Sequence, residues 1–254
     1  MPAPKWSTAF NEIHAVELGF GERVGYKVVM ADAAYWTVVH GLKGFFSCFC
    51  RVEAHQTRGV PAGPWILACN HLSHFDPPLI AGAFRRPLDF LAMRELFRPA
   101  WFGFLLRAAN VIPVGRRQAD TAALKAALQR LEKGRIVCVF PEGGLRAGTT
   151  SVLGGAELTE GVALLASHAQ VPVRPAVIVG SDQLYVRQNW ARRPRIVVAA
   201  GEPMAPPGKK QKRSEWVQRL GQEMRLVYEA ARHRHQLNSH ELPHTPQERW
   251  EKGR

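Results

Sequence analysis

Carboxylates are scarce in this chain. It has 21 Asp and Glu against 34 Lys and Arg, a formal charge of +13 over 254 residues. A protein so short of its own acids seeks phosphate elsewhere, on nucleic acid, a membrane surface or an anionic substrate. Cysteine is scarce as well. Cys48, Cys50, Cys69 and Cys138 are the four present, and no pair has C-x-x-C spacing. That excludes a disulfide framework and points to a reduced compartment. No basic start leads into an apolar core, so no secretory signal is read, and no uncharged apolar run reaches the roughly 18 residues of a spanning helix. Repeats and low-complexity blocks are missing. Hydrophobic residues still make up 46% of the chain, enough for a packed core and too many for wholesale disorder.

What is present falls into three zones, 1–58, 59–205 and 206–254. The first reads as helical. Within Ala33–Arg51, Tyr35, Trp36, Val38, Val39, Leu42, Phe45, Phe46 and Phe49 cover most of a helix circumference. Such a helix is either buried on a core or set into a membrane interface.

The middle zone alternates strands and helices. Trp65–Cys69, Leu88–Met93, Val111–Val114, Arg135–Phe140, Val171–Val179 and Arg195–Ala200 read as strands. Ala119–Lys133, capped by Asp120 and followed by Gly134, reads as an amphipathic helix, and Leu158–His168 as another. This alternation predicts an α/β fold, a mostly parallel central sheet flanked by helices, preceded by the N-terminal helical, membrane-associating segment. Ligands then belong at the carboxyl ends of the strands. After the break APPGKKQKR, Ser214 to about Arg232 reads as a helix, and from His233 on the chain reads as a loosely ordered polar tail.

Three strand ends carry chemistry. The first is Ala68–Pro78, ACNHLSHFDPP, where His71 and Asp76 stand five residues apart. A carboxylate on one imidazole nitrogen fixes the tautomer and leaves the other free to take a proton from a hydroxyl. A His–Asp pair in a loop also serves as a plain structural hydrogen bond. The second is Val139–Arg146, VFPEGGLR, in which Gly143 and Gly144 can offer backbone N–H groups to an anion and Arg146 can pair a phosphate. The third, Asn110–Arg117, ends a strand in Gly and two arginines.

In this order N-H-x-S-x-x-D, x-x-I-P-V-x-R, F-P-E-G and V-P-V-x-P, over about residues 60–205, the chain resembles the glycerolipid acyltransferase family. That family includes 1-acylglycerol-3-phosphate acyltransferases and related lysophospholipid acyltransferases. The resemblance implies that His71 is a general base and Asp76 its orienting partner. It implies that Arg116 and the turn Phe140–Gly143 hold the acceptor's phosphate and glycerol, with Glu142 an acceptor contact. Val171–Pro175 matches a motif linked to donor or structural roles. The donor it implies is an acyl thioester on CoA or acyl carrier protein, with no cofactor and no metal. Two departures stand out. Asn110 takes the place of the usual Gly of the second motif. In the third, Gly144 and Leu145 replace Thr and Arg, and Arg146 follows one place later.

Two other readings stay open. His74 could join His71 and Asp76 in a metal-dependent hydrolase, or the chain could be a basic phosphate- and membrane-binding protein. The clusters Arg85–Arg86, Arg192–Arg193 and Lys209–Arg213 suit anionic lipid head groups, and no nucleic-acid-binding signature accompanies them. The expectation is a peripheral enzyme on the cytoplasmic face of a membrane.

Overall fold

β-Branched and apolar runs become strands buried on both faces. The computed structural model describes residues 22–58, 62–115 and 121–252. Strands β2 (Trp65–Cys69) and β6 (Val173–Val179) are buried along their whole length, and β5 (Ile136–Val139) and β7 (Arg195–Ala200) nearly so. Continuous burial of this kind marks a sheet covered on both sides. With β1 (Arg51–His55), β3 (Leu88–Met93) and β4 (Ile112–Val114) they form one seven-stranded sheet in the order β1-β7-β6-β2-β5-β3-β4. Every neighbouring pair is parallel except β6 and β7. The mostly parallel α/β fold is therefore the one that forms.

The two faces of the sheet use alternate residues. Trp65, Leu67 and Cys69 of β2 point into one core with Ile136, Cys138 and Ile178, while Ile66 and Ala68 point into the other with Val137 and Val173. Helices α1 (Glu22–Phe49) and α2 (Asp76–Ala83) cover the first face. Helices α4 (Thr121–Glu132), α5 (Gly161–Ala169) and α7 (Arg213–His235) cover the second, through Leu131, Leu165, Trp216, Leu220 and Met224. The third zone thus contributes to the main core. Helix α3 (Ala100–Ala108) lies between β3 and β4, and α6 (Gln188–Arg192) between β6 and β7.

Of the two readings open for the aromatic N-terminal helix, its described side chains take the buried one. Tyr35, Val39 and Phe46 are buried in the core, and Trp36 and Leu42 pack against it. The outward face is small and polar, with Phe45 the one large apolar side chain exposed there. The Tyr35 hydroxyl accepts from Leu88 N at 3.0 Å. Arg135 grips Asp89 through two nitrogens at 2.7 and 2.6 Å and reaches Asp32 at 3.1 Å, tying α1 to β3 and β5. Among the described residues no helix is long and apolar enough to cross a membrane.

Other expectations are corrected. Residues 51–55 leave the helix and form an edge strand on β7. The helix expected from Leu158 starts at Gly161, because Thr159 is held by Pro141 through its N–H and its hydroxyl. The tail is not loose. Beyond α7 it folds back as α8 (Pro246–Lys252), and Arg249 meets the fully buried Asp182 at 2.5 Å. Asp120, expected to cap α4, lies outside the described residues.

Candidate active site

β2 and β5 are adjacent and parallel, with Leu67 opposite Cys138, so the loops leaving their carboxyl ends touch. Where β2 ends, Asn70 continues the pairing by side chain. Its amide donates to Ile178 O at 3.0 Å and accepts from Ile178 N at 2.8 Å. That mimics one more ladder step while the backbone turns away toward His71. Asp76 opens α2, and Pro77 and Pro78 occupy the first turn, where a missing N–H costs little.

Asp76 is fully buried, and four donors surround its carboxylate. Oδ2 accepts from His71 Nδ1 at 2.8 Å, Leu72 N at 2.7 Å and Ser73 N at 2.8 Å, and Oδ1 from Ser181 Oγ at 2.5 Å. With its proton held at Nδ1, the neutral imidazole presents a lone pair at Nε2. Among the described residues Nε2 has no hydrogen-bond partner. The ring stacks on Phe140 at 4.0 Å between centroids, tilted 15°, which sets its plane. The His71 side chain is 18% exposed, open enough for a substrate hydroxyl.

The turn after β5 is stitched to the same residue. Glu142 Oε2 accepts from His71 N at 2.7 Å, and Arg146 N donates to His71 O at 2.8 Å. Glu142 Oε1 accepts from Ser151 Oγ at 2.7 Å and Val152 N at 2.8 Å. Burial pushes the Glu142 carboxyl above its ordinary value, against the pull of these donors. Both oxygens are spent inside the protein, so Glu142 fastens the base to the turn, in place of the acceptor contact expected of it. Gly143 sits at φ +70°, and its N–H bonds Phe140 O at 3.2 Å, so it is not the open donor expected. The next two N–H groups, of Gly144 and Leu145, have no partner among the described residues. Such successive amides after a left-handed residue suit an anion. The Arg146 side chain is exposed beside them.

Arg116 lies outside the described residues. The strand before it in sequence, β4, runs parallel to β3. His74 parts from the pair: its Nδ1 meets the Tyr185 hydroxyl at 2.6 Å. Among the described residues no three His, Cys, Asp or Glu side chains converge as metal ligands, so the donor set required by the hydrolase reading is not assembled. Arg174, in Val171–Pro175, sits early in β6 and donates to Gly201 O and Gln56 O at 2.8 and 2.6 Å, a structural role. Burial pushes the Cys69 and Cys138 thiols up, which leaves both protonated and poor nucleophiles.

Ser181 escaped sequence reasoning. Its signal was there: Gly180-Ser181 directly follows β6. Gly180 adopts φ +87°, and a Cβ there would lie 2.6 Å from Arg195 O, so this glycine lets the chain turn and aim Ser181 at Asp76.

Residues 51–179 match the family model for acyltransferases. The chain belongs to the acyltransferase family. It is 24% identical over 172 residues to a 1-acyl-sn-glycerol-3-phosphate acyltransferase of Bacillus subtilis, covering 67% of this chain and 82% of that one. To the enzyme of the same name in Streptococcus pneumoniae it is 27% identical over 184 residues, 70% of this chain and 66% of that one. Its fold is similar to that of the 1-acyl-sn-glycerophosphate (LPA) acyltransferase PlsC from Thermotoga maritima. The TM-score is 0.63 at 20% identity, over 92% of this chain and 90% of that one. The matched acyltransferase region holds His71, Asp76 and the 142–146 turn; Ser181 lies just past its end.

Proposed function

We propose that this acyltransferase moves a fatty acyl chain from an acyl thioester, on CoA or acyl carrier protein, to the hydroxyl of a lysophosphatidate-like acceptor, with His71 as general base. The observation that carries the reading is the His71–Asp76 pair at 2.8 Å with Nε2 unpartnered, bound on both sides of its backbone to an anion-suited turn. The names of the curated relatives support the acceptor class.

Nε2 takes the acceptor hydroxyl's proton as its oxygen attacks the thioester carbonyl. The carbon–oxygen bond forms, and the carbonyl oxygen becomes an oxyanion. The Gly144 and Leu145 N–H groups are the donors for that charge. The tetrahedral intermediate collapses, the carbon–sulfur bond breaks, and the imidazolium returns its proton to the departing thiolate. Asp76 stabilises the imidazolium between the two transfers. Arg146 and Arg116 pair the acceptor phosphate. The reaction asks for no cofactor beyond the thioester. A charge of +13 and a lipid substrate support a peripheral position on the cytoplasmic face of a membrane.

A panel of lysolipids offered with acyl-CoA and with acyl carrier protein thioester, and read by mass spectrometry, tests the reading. A new acyl ester on a lysophosphatidate-like acceptor is expected. Thioester hydrolysis with no acylated acceptor from any pair would overturn it.

A further inference from the structure

The sequence singles out 33–51 as the apolar segment, yet the exposed apolar surface lies elsewhere. Among the described residues seven large apolar side chains are exposed, and four of them, Met93, Leu96, Trp101 and Phe104, fall within twelve residues from the end of β3 through the following turn to α3. Trp101 is 74% and Phe104 73% exposed. At spacing i and i+3 they share one helix face. The opposite side of α3 is fixed: Gly103 is buried, and a Cβ on it would come within 2.6 Å of Phe97 O. The helix is therefore held against its own 3₁₀ turn, Arg94–Phe97, with its aromatics outward.

The surroundings are basic. Arg98 and Arg107 are exposed on either side of the aromatic pair, Arg94 precedes them, and Glu95 is the single acid between residues 93 and 109. The Arg107 guanidinium lies 5.6 Å from the Phe97 ring centroid, which holds it beside the patch. Protruding Trp and Phe rimmed by arginine match an interface of acyl chains beneath anionic head groups. A bilayer also needs no shaped recess. The strand that leads to this face also reaches the site: Phe90 of β3 stacks on Phe140 at 6.3 Å, and Phe140 stacks on His71.

We propose that the Trp101–Phe104 face of α3, flanked by Arg98 and Arg107, is the surface on which this protein seats on an anionic bilayer, so that a lipid acceptor reaches His71 from the membrane plane. The purpose of the docking rests on the acyl-transfer reading; the docking itself requires no turnover. The described side chains of α1 cover the core, and α3 carries the exposed aromatic face that enters the head-group layer.

The full chain and three variants are sedimented with sucrose-loaded vesicles of phosphatidylcholine, with and without phosphatidylglycerol. Wild type is expected to partition to the anionic vesicles, and the double variant Trp101→Ser/Phe104→Ser to do so about tenfold more weakly or worse. Arg98→Gln/Arg107→Gln is expected to lose most of the preference for anionic over neutral vesicles. Phe45→Ser, on the outward face of α1, is expected to bind like wild type. Melting curves check that each variant folds, and a short-chain, water-soluble acceptor checks that turnover survives in the Trp101/Phe104 variant. Wild-type binding by that variant would overturn the proposal, as would vesicle binding by no form of the protein. So would unchanged vesicle binding with lost capture by immobilised acyl carrier protein, which would make the face a protein-docking site. Vesicle binding that depends on Trp101 and Phe104, from a chain that transfers no acyl group, would uphold the docking surface and sink the acyl-transfer reading alone.

Discussion

Ser181 Oγ donates to Asp76 Oδ1 at 2.5 Å, across 105 positions of sequence, while the other oxygen of the same carboxylate takes the His71 imidazole. The base is thus oriented by a carboxylate that is itself oriented from β6. Ser181→Ala leaves Oδ1 without its side-chain donor in a site of zero exposure, a loss of about 1–3 kcal/mol split between fold and function. Steady-state kinetics are expected to show kcat about tenfold lower with KM little changed, since Ser181 touches no substrate. Ser181→Thr, which keeps a hydroxyl, is expected to recover most of it. Equal kcat in Ser181→Ala and wild type would make the contact merely structural.

Glu142→Gln tests the fastening of base to turn. Gln offers one acceptor oxygen where Glu142 uses two, so it sets donor against donor at either His71 N or the Ser151–Val152 pair. A loss of about 1–3 kcal/mol follows, with reduced kcat as His71 shifts. The pH dependence has a definite sign. Burial raises the Glu142 carboxyl above its ordinary 4.5, so the folded state binds that proton more tightly than the unfolded chain. The group's contribution is full below 4.5 and declines as pH rises through the raised value. Gln has no such dependence. The advantage in Tm of wild type over Glu142→Gln is expected to shrink as melts move from about pH 4 to pH 7; a growing advantage would contradict the burial argument.

The C-terminal return is expected to matter for stability. Arg249 is 7% exposed; beyond its contact with Asp182 it donates to His240 O and Leu242 O at 2.8 and 3.0 Å. Burial raises the Asp182 carboxyl and Arg249 opposes it. Arg249→Ala strands Asp182 in the interior at a cost of about 3–5 kcal/mol, or roughly 10 °C in Tm for a chain of this size. Asp182→Asn with Arg249→Met, which removes both charges, is expected to recover much of that. A melt of Arg249→Ala equal to wild type would show the return is not bound through this pair.

Much of the architecture was legible. Alternating β-branched runs and amphipathic helices gave six of the seven strands nearly to the residue, because burial on both faces leaves a plain apolar signature. β1, Arg51–His55, was not, since a largely exposed edge strand carries no apolar run of its own and reads as part of the helical zone before it. The tail escaped because ion pairs with distant residues help hold it, Arg249 with Asp182 and Glu241 with Arg195, and Arg249 looks like any surface arginine in sequence. Of the site, His71 and Asp76 stood in one motif and could be paired on spacing. The roles of Glu142 and Ser181 could not be read, since each depends on which strand lies next to β2. The wide apolar face of Ala33–Arg51 left a core-covering helix and a membrane interface both open; Tyr35, Val39 and Phe46 fill the core, and the most exposed aromatics lie on α3. Pattern alone does not separate an apolar face that meets protein from one that meets lipid.

Asp76→Asn separates orientation from presence of the base. An amide keeps the size of the side chain but replaces one acceptor oxygen with a donor, so it cannot serve His71 Nδ1, Leu72 N, Ser73 N and Ser181 Oγ alike. The imidazole loses its fixed tautomer, and kcat is expected to fall about a thousandfold or more. Turnover within a few-fold of wild type would show that Asp76 does not set the state of His71.

The most direct test of the central claim is thiol release from acyl-CoA in the presence of acceptor, followed for wild type and His71→Ala at matched concentration and with matched melting curves. His71→Ala removes the group proposed to carry the proton from hydroxyl to thiolate, and its folded form is expected to release thiol at least about a thousandfold more slowly. Acceptor-dependent release by folded His71→Ala at a rate near wild type would contradict the assignment of His71 as the base.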